Sequence, residues 1–366
     1  MKSWSLRLGR FFGIDVFIHW TFSILLVWIF LMHISGGHGA AGGIAGVFFV
    51  LALFACVVLH EFGHALTAAR FGIKTKDITL YPIGGIASLE GMPEKPSEEL
   101  LVGLAGPLVN LGIALVIWVY LSATGQLPGL AAVAGSDDMA SVPFLWNLLF
   151  ANVVLAVFNL IPAFPMDGGR VLRSLLSFMM DKSNATRAAA ALGQFLAIMF
   201  VFFGFFYNFW LVFIGLFVFL GAGGEAAAET MRAALSGLKV RDAVMRRFTL
   251  LRPDDTLGRA ADVLLNSQET VFLVADADRP VGTLSRTELI RGLSEQGKDA
   301  LISGFMNTDF VVAGPEMKLQ DLMEQLSAKG GAAAVMEGGS ILGLIDRENI
   351  EEKLLVQRTL KERNKI

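Results

Sequence analysis

The stretch LHEFGHALTAAR, Leu59 to Arg70, places two histidines and a glutamate at the end of an apolar run. The residues leading into it, VFFVLALFACVVL, carry no charge at all. On a helix, positions i and i+4 share one face with Cβ atoms about 5–6 Å apart. His60 and His64 have that spacing, so both imidazoles can reach one metal ion. Glu61 stands next to the first of them and can lean over a water at the metal. The pattern is HExxH, with the glutamate as general base. An ionised side chain at mid-bilayer costs about 2.5–3.5 kcal/mol even on insertion scales. A bound cation would explain why these groups are there. The competing reading is a helix end whose polar groups reach the interface near Arg70.

Composition sets the frame. The chain has 366 residues, 54% hydrophobic and only 17% charged, against about 25% charged in soluble domains. The imbalance is regional. Residues 11–69, 96–169 and 188–231 contain no Lys or Arg, whereas the sequence from Leu238 onward reads as an ordinary soluble protein. The expected organisation is a membrane domain over 1–224, a linker over 225–237, soluble modules over 238–294 and 295–358, and a basic tail over 359–366. The net charge of −3 says little about partners, and no basic patch points to nucleic acid, so no nucleic-acid partner is expected. The single cysteine, Cys56, excludes an intrachain disulfide framework.

A bilayer span needs about 20 mostly apolar residues. Candidates are Val16–Met32, Ile44–Ala69, Leu100–Ser122, Val142–Ile161, Ala188–Phe206 and Phe209–Gly223, so about six transmembrane helices are expected in the lipid bilayer. The first is too long for the core of a signal peptide. Lys and Arg are retained by cytoplasmic loops. They fall at the start (Lys2, Arg7, Arg10), after the second candidate (Arg70, Lys74, Lys76, Lys95), after the fourth (Arg170, Arg173, Lys182, Arg187) and after the sixth (Arg232, Lys239). The segments around His33–Gly43, Gly125–Ser141 and Tyr207–Asn208 have none. Both termini are therefore expected in the cytoplasm.

Catalytic zinc takes three protein ligands and keeps one position open. His33 and His38 fall on the opposite side from HExxH. Asp167, in NLIPAFPMDGGR, follows the fourth span and lies on the same side as HExxH. Pro162, Pro165, Gly168 and Gly169 break the helix there, and irregular backbone is tolerated at such depth where it lines a cavity. Asp15 is the second choice of ligand, and a helix cap is the alternative role for Asp167. His19, in FIHW, reads as a polar contact within the bundle.

Together the two motifs resemble the site-2 protease family of intramembrane zinc metalloproteases, over about residues 10–224. The resemblance implies one zinc per chain held by His60, His64 and Asp167, with Glu61 activating water. It also implies Asn159, first residue of the N-x-x-P-x-x-P-x-D-G segment, as the group that meets the substrate carbonyl or oxyanion. AGPLVNL, Ala105 to Leu111, is similar to a stretch of that family's third span; Asn110 within it reads as a packing or polar-glue residue, since an intramembrane Asn often hydrogen-bonds between helices. The implied activity is hydrolysis of peptide bonds in membrane-protein substrates of a prokaryotic cell membrane.

Between the motifs lies DITLYPIGGIASLE, Asp77 to Glu90, too short and too broken for a span. It reads as a strand or hairpin beside the site, with Tyr81, Pro82, Ile83, Gly84 and Gly85 positioned to align substrate. An extended peptide can add to a free strand edge; a plain interfacial loop is the alternative.

The soluble half repeats internally. Val244-Met245 aligns with Phe305-Met306, Pro253 with Pro315, Leu257 with Leu319 and Gly282 with Gly343. It resembles a tandem pair of CBS domains, an α+β module over about Leu238–Gln357. That family's adenosine signature, G-x-x-S/T-x-x-D, falls on Ser285 and Glu288, then on Asp346 and Asn349, and neither copy keeps it whole. The resemblance leaves two roles open: AMP or ATP binding, or a structural module that forms a homodimer. A transporter or channel gated by CBS domains is the rival class. It would spread polar groups along a pathway rather than gather them at one point.

Overall fold

In the computed structural model, residues 4–91, 93–127, 143–267 and 269–363 are described. The chain divides into two compact units between Glu229 and Thr230.

The first unit opens with a hairpin, β1 (Ser5–Phe11) and β2 (Ile14–His19), antiparallel with Phe11 opposite Ile14. Its two-residue turn places Phe12 at φ 52° and Gly13 at φ 83°, the conformation that matches strand twist in tight hairpins. Helices α1 (Thr21–Ser35) and α2 (Gly39–Ala69) then carry the chain away and back. The return allows β3 (Thr75–Tyr81) to pair parallel with β2, and β4 (Gly84–Leu89) closes antiparallel on β3. The sheet order is β1-β2-β3-β4. Alternate residues Ile14 and Val16 of β2 and Ile78 of β3 are buried against Phe62 and Ala65 of α2. This packing seats the HExxH turn on the sheet.

Next come α3 (Pro96–Ala123), α4 (Phe144–Asn159), α5 (Asp167–Ser177), α6 (Lys182–Tyr207) and α7 (Trp210–Leu235). Pro96 occupies the first turn of α3, and Asp181 caps α6 by accepting from the Asn184 N–H, as both residue types do at helix starts. Among the described residues four helices are long and apolar enough to cross a bilayer: α2, α3, α6 and α7. Helices α1 and α4 are apolar but have 15 and 16 residues, about 23 Å at 1.5 Å per residue.

The first expected span, Val16–Met32, therefore begins too early. Val16 to His19 belong to a strand, and the helix starts at Thr21. The polar interruption at His19 and Thr21 is too short to break an average over about 20 residues, so hydropathy alone does not register it. The stretch expected to be a linker, 225–237, is mostly the end of α7. The segment Gly125–Ser141 lies largely outside the described residues.

The second unit contains the expected repeat. The first copy has β5 (Leu250–Leu251), α8 (Leu257–Asn266), β6 (Val271–Asp276), β7 (Arg279–Ser285) and α9 (Arg286–Gln296). The second has β8 (Val311–Ala313), α10 (Leu319–Lys329), β9 (Ala332–Glu337), β10 (Ser340–Asp346) and α11 (Arg347–Arg363). In each sheet a short strand runs parallel to the first arm of an antiparallel hairpin. The copies exchange their leading segments: Val240 is buried in the core of the second, Ile302 and Phe305 in that of the first. The three-dimensional modules thus interlock across the linear boundary at 294/295.

Candidate metal centre

Three lone-pair atoms converge between α2 and the start of α5. The Nε2 atoms of His60 and His64 are 3.1 Å apart. Asp167 Oδ2 lies 3.2 Å from the first and 3.1 Å from the second. All three residues are buried, and they form a group with the donor set of a metal site. Zinc–nitrogen and zinc–oxygen bonds of about 2.0–2.1 Å put neighbouring tetrahedral ligands about 3.3 Å apart. The observed triangle is close to one face of that tetrahedron, so the residues fit zinc.

Both Nδ1 atoms face oxygen. His64 Nδ1 is 2.7 Å from the Val102 carbonyl and His60 Nδ1 is 2.5 Å from Asn110 Oδ1. A carbonyl can only accept, so His64 carries its proton on Nδ1 and turns the Nε2 lone pair inward. Such outer partners fix the tautomer and raise ligand basicity. Asn110 thus joins α3 to α2 by a side-chain hydrogen bond, the polar contact between helices expected of it from the sequence.

Glycine makes the space. A Cβ built on Gly106 of α3 would stand 2.2 Å from His64 Nε2 and 2.7 Å from His60 Nε2, in the region a metal would occupy. On the other wall, a Cβ on Gly168 would meet the Ile161 carbonyl at 2.2 Å, and one on Gly169 the Phe164 nitrogen at 2.6 Å. The two glycines of MDGGR let the break fold tightly onto α5, which brings Asp167 to α2.

The position of α5 is also tied by charge, which the sequence reading missed. Arg173 is fully buried and bonds Glu99 of α3 and, at 2.7 Å, Glu225 of α7. Its guanidinium lies 5.2 Å from the centre of the Phe164 ring. Removing one partner of a buried pair leaves an uncompensated charge, at about 3–5 kcal/mol. Arg173→Leu is expected to lower the thermal midpoint of the detergent-solubilised protein. It should lower zinc retention too, because α5 carries Asp167. Unchanged melting would assign the pair no structural weight.

Glu61 projects beside the triad, next to the sheet. A Cβ on Gly85 would approach Glu61 Cγ at 2.9 Å and Cδ at 3.4 Å, so β4 passes directly over the candidate base. Tyr81 to Gly85 form the β3–β4 turn, with Ile83 at its tip 86% exposed. Tyr81 stacks on His19 with ring centres 5.0 Å apart, and His19 Nδ1 lies 2.8 Å from Thr21 Oγ1. His19 is a polar contact, as expected. Asn159 is the last residue of α4, ahead of the break that leads to Asp167. Asp15, the second choice, pairs with Arg7 at 2.5 Å on the N-terminal hairpin and lies outside the group formed by His60, His64 and Asp167.

In the second unit the four adenosine-signature positions make two reciprocal helix caps. Ser285 Oγ accepts from the Glu288 N–H, and Glu288 Oε2 accepts from the Ser285 N–H at 2.7 Å. Asp346 Oδ1 accepts from the Asn349 N–H at 2.8 Å, and Asn349 Oδ1 from the Asp346 N–H at 3.2 Å. Burial pushes the Asp346 carboxyl above its ordinary pKa.

An apolar helical unit with an enclosed His-His-Asp group, followed by paired α+β repeats, defines a membrane metallopeptidase joined to a CBS module. Comparison with known proteins agrees. The peptidase family M50 profile matches residues 48–203, and the CBS domain profile matches 240–295 and 302–355. A zinc metalloprotease of Methanocaldococcus jannaschii is 30% identical over 349 residues, 95% of each chain. Stage IV sporulation protein FB of Bacillus subtilis is 31% identical over 139 residues, 38% of this chain and 43% of that one. The solved site-2 protease from Methanocaldococcus jannaschii is 37% identical, covering 61% of this chain and 95% of that one at a TM-score of 0.44. The chain belongs to peptidase family M50, the site-2 protease family of zinc metalloproteases, and carries tandem CBS domains.

Proposed function

We propose that the protein is an intramembrane zinc endopeptidase that cuts transmembrane or membrane-anchored proteins. The observation that carries this reading is the convergence of His60, His64 and Asp167 beside Glu61. These three residues would hold one zinc per chain. Bound zinc supplies Lewis-acid polarisation of the scissile carbonyl and a water acidified to a pKa of about 7. The Glu61 carboxylate would act as general base toward the attacking water and pass the proton to the leaving amine. Asn159 is assigned to the substrate carbonyl and its developing negative charge, to which an amide N–H can donate. The clustering of ionisable groups at one point favours a hydrolase over a CBS-gated transporter or channel.

A helical substrate hides its peptide bonds, so it has to be extended before cleavage. Strand β4 is at the edge of the sheet, and its Gly85 lies against Glu61. A peptide added to that edge by main-chain hydrogen bonds would run alongside the base. Tyr81 to Gly85 then set its path. In liposomes with a membrane-anchored reporter, the wild-type protein is expected to cleave. A variant with Pro82–Gly85 shortened should lose most cleavage and keep its zinc. Normal cleavage by that variant would remove strand addition from the mechanism.

Six spans and cytoplasmic termini complete the reading, supported by the four long and two shorter apolar helices among the described residues and by the pattern of Lys and Arg along the sequence. The CBS pair is assigned to homodimerisation and to response to adenine nucleotides. AMP or ATP would have to engage Ser285, Glu288, Asp346 or Asn349 in competition with the two caps. Titration calorimetry of the full-length protein is expected to register one of the nucleotides, and flat traces for both would leave dimerisation alone.

A further inference from the structure

The geometry points to Asn152, in α4 and outside both metal-site motifs, as the residue that sets the tautomer of His60. The inference rests on reading the triad as a zinc site. His64 is oriented by a backbone carbonyl, whose polarity is fixed. His60 is oriented by Asn110, a side-chain amide that could present either end. Asn152 removes that freedom. Its Nδ2 lies 2.8 Å from the Leu148 carbonyl, which can only accept, so Nδ2 is the donor end. Its Oδ1 therefore faces Asn110 Nδ2, at 2.8 Å. Asn110 Oδ1 is left facing His60 Nδ1, which must donate. Polarity thus runs in one direction, from the Leu148 carbonyl through Asn152 and Asn110 to His60.

The opposite order would put the imidazole proton on His60 Nε2, pointing at Asp167 Oδ2 and His64 Nε2. That proton would occupy the position needed for a metal bond. It would also set Asn110 Oδ1 against Asn152 Oδ1 with no hydrogen between them. Both asparagines are 0% exposed, where an unpaired polar atom is costly. Asn152 is a positioning residue: it acts on the ligand through Asn110.

Two variants test the relay in the full-length, detergent-solubilised protein. Asn152→Leu removes the acceptor opposite Asn110. Asn152→Asp keeps an acceptor there while giving up the bond to Leu148. Zinc affinity by chelator competition is expected to fall about 10–100-fold in the leucine variant and to stay near wild type in the aspartate variant. The melting midpoint of the metal-free protein, measured in parallel, corrects for packing. In wild-type protein labelled with nitrogen-15 histidine and freed of metal, NMR should find the His60 proton on Nδ1. Unchanged zinc affinity in the leucine variant, equal loss in both variants, or a proton on Nε2 overturns the relay. Failure of the wild-type protein to bind zinc would instead overturn the metal site itself.

Discussion

Glu61→Gln is expected to keep its zinc and to lower cleavage of a membrane-anchored reporter by about 10²–10⁴-fold, the usual contribution of a positioned acid–base group. The replacement has nearly the same shape. It can still pack under Gly85, whose close approach to the Glu61 methylene fixes that side chain. The atoms proposed to hold the metal belong to His60, His64 and Asp167, which the substitution leaves unchanged. What it removes is basicity, because an amide oxygen does not hold a proton near neutral pH. Zinc content by mass spectrometry and cleavage by gel should therefore separate. Cleavage at the wild-type rate would show that Glu61 is not the base. Loss of zinc together with activity would show that the side chain supports the site rather than the chemistry.

Gly106→Ala is expected to be as damaging by a different route. The added methyl would stand 2.2 Å from His64 Nε2 and 2.6 Å from His64 Cε1, far inside contact distance. Those atoms belong to a ring fixed by the Val102 carbonyl, so the ring cannot yield without losing that bond. The prediction is loss of most bound zinc and of nearly all cleavage. Helix propensity works the other way, since alanine is about 1 kcal/mol better than glycine inside a helix. Gly112→Ala, on the same helix with nothing within 4 Å of the added methyl, is the control and should retain zinc and activity. A Gly106→Ala protein with full zinc content would mean that the space beside the two Nε2 atoms is not where the metal sits.

The grouping of His60, His64 and Asp167 was legible in the sequence because local rules produce it. The i, i+4 spacing of His60 and His64 is a property of one helix. Asp167 could be found because prolines and glycines mark the break in which it sits. The hairpin over Asp77–Glu90 was legible from the same kind of punctuation, and the CBS pair from its repeat. The N-terminal hairpin was not, because the apolar residues Val16 to Ile18 merge with the helix that follows once hydropathy is averaged over the length of a span. Also hidden were contacts between residues far apart along the chain. Arg173 reaches Glu99 across 74 positions, and Asn110 reaches His60 across 50 and Asn152 across 42. In one sequence, a polar residue in an apolar helix indicates that a partner exists and not which one. The exchange of leading segments between the CBS copies is equally a matter of tertiary packing.

Zinc analysis of the purified full-length protein, combined with X-ray absorption at the zinc edge, addresses the metal centre itself. One zinc per chain is predicted, with two imidazole nitrogens and carboxylate oxygen in its inner shell at about 2.0–2.1 Å. Substitution of Asp167 by alanine should weaken binding and remove an oxygen from that shell. A metal-free wild-type protein, a sulfur ligand, or an inner shell unaltered by the Asp167 substitution would contradict the account.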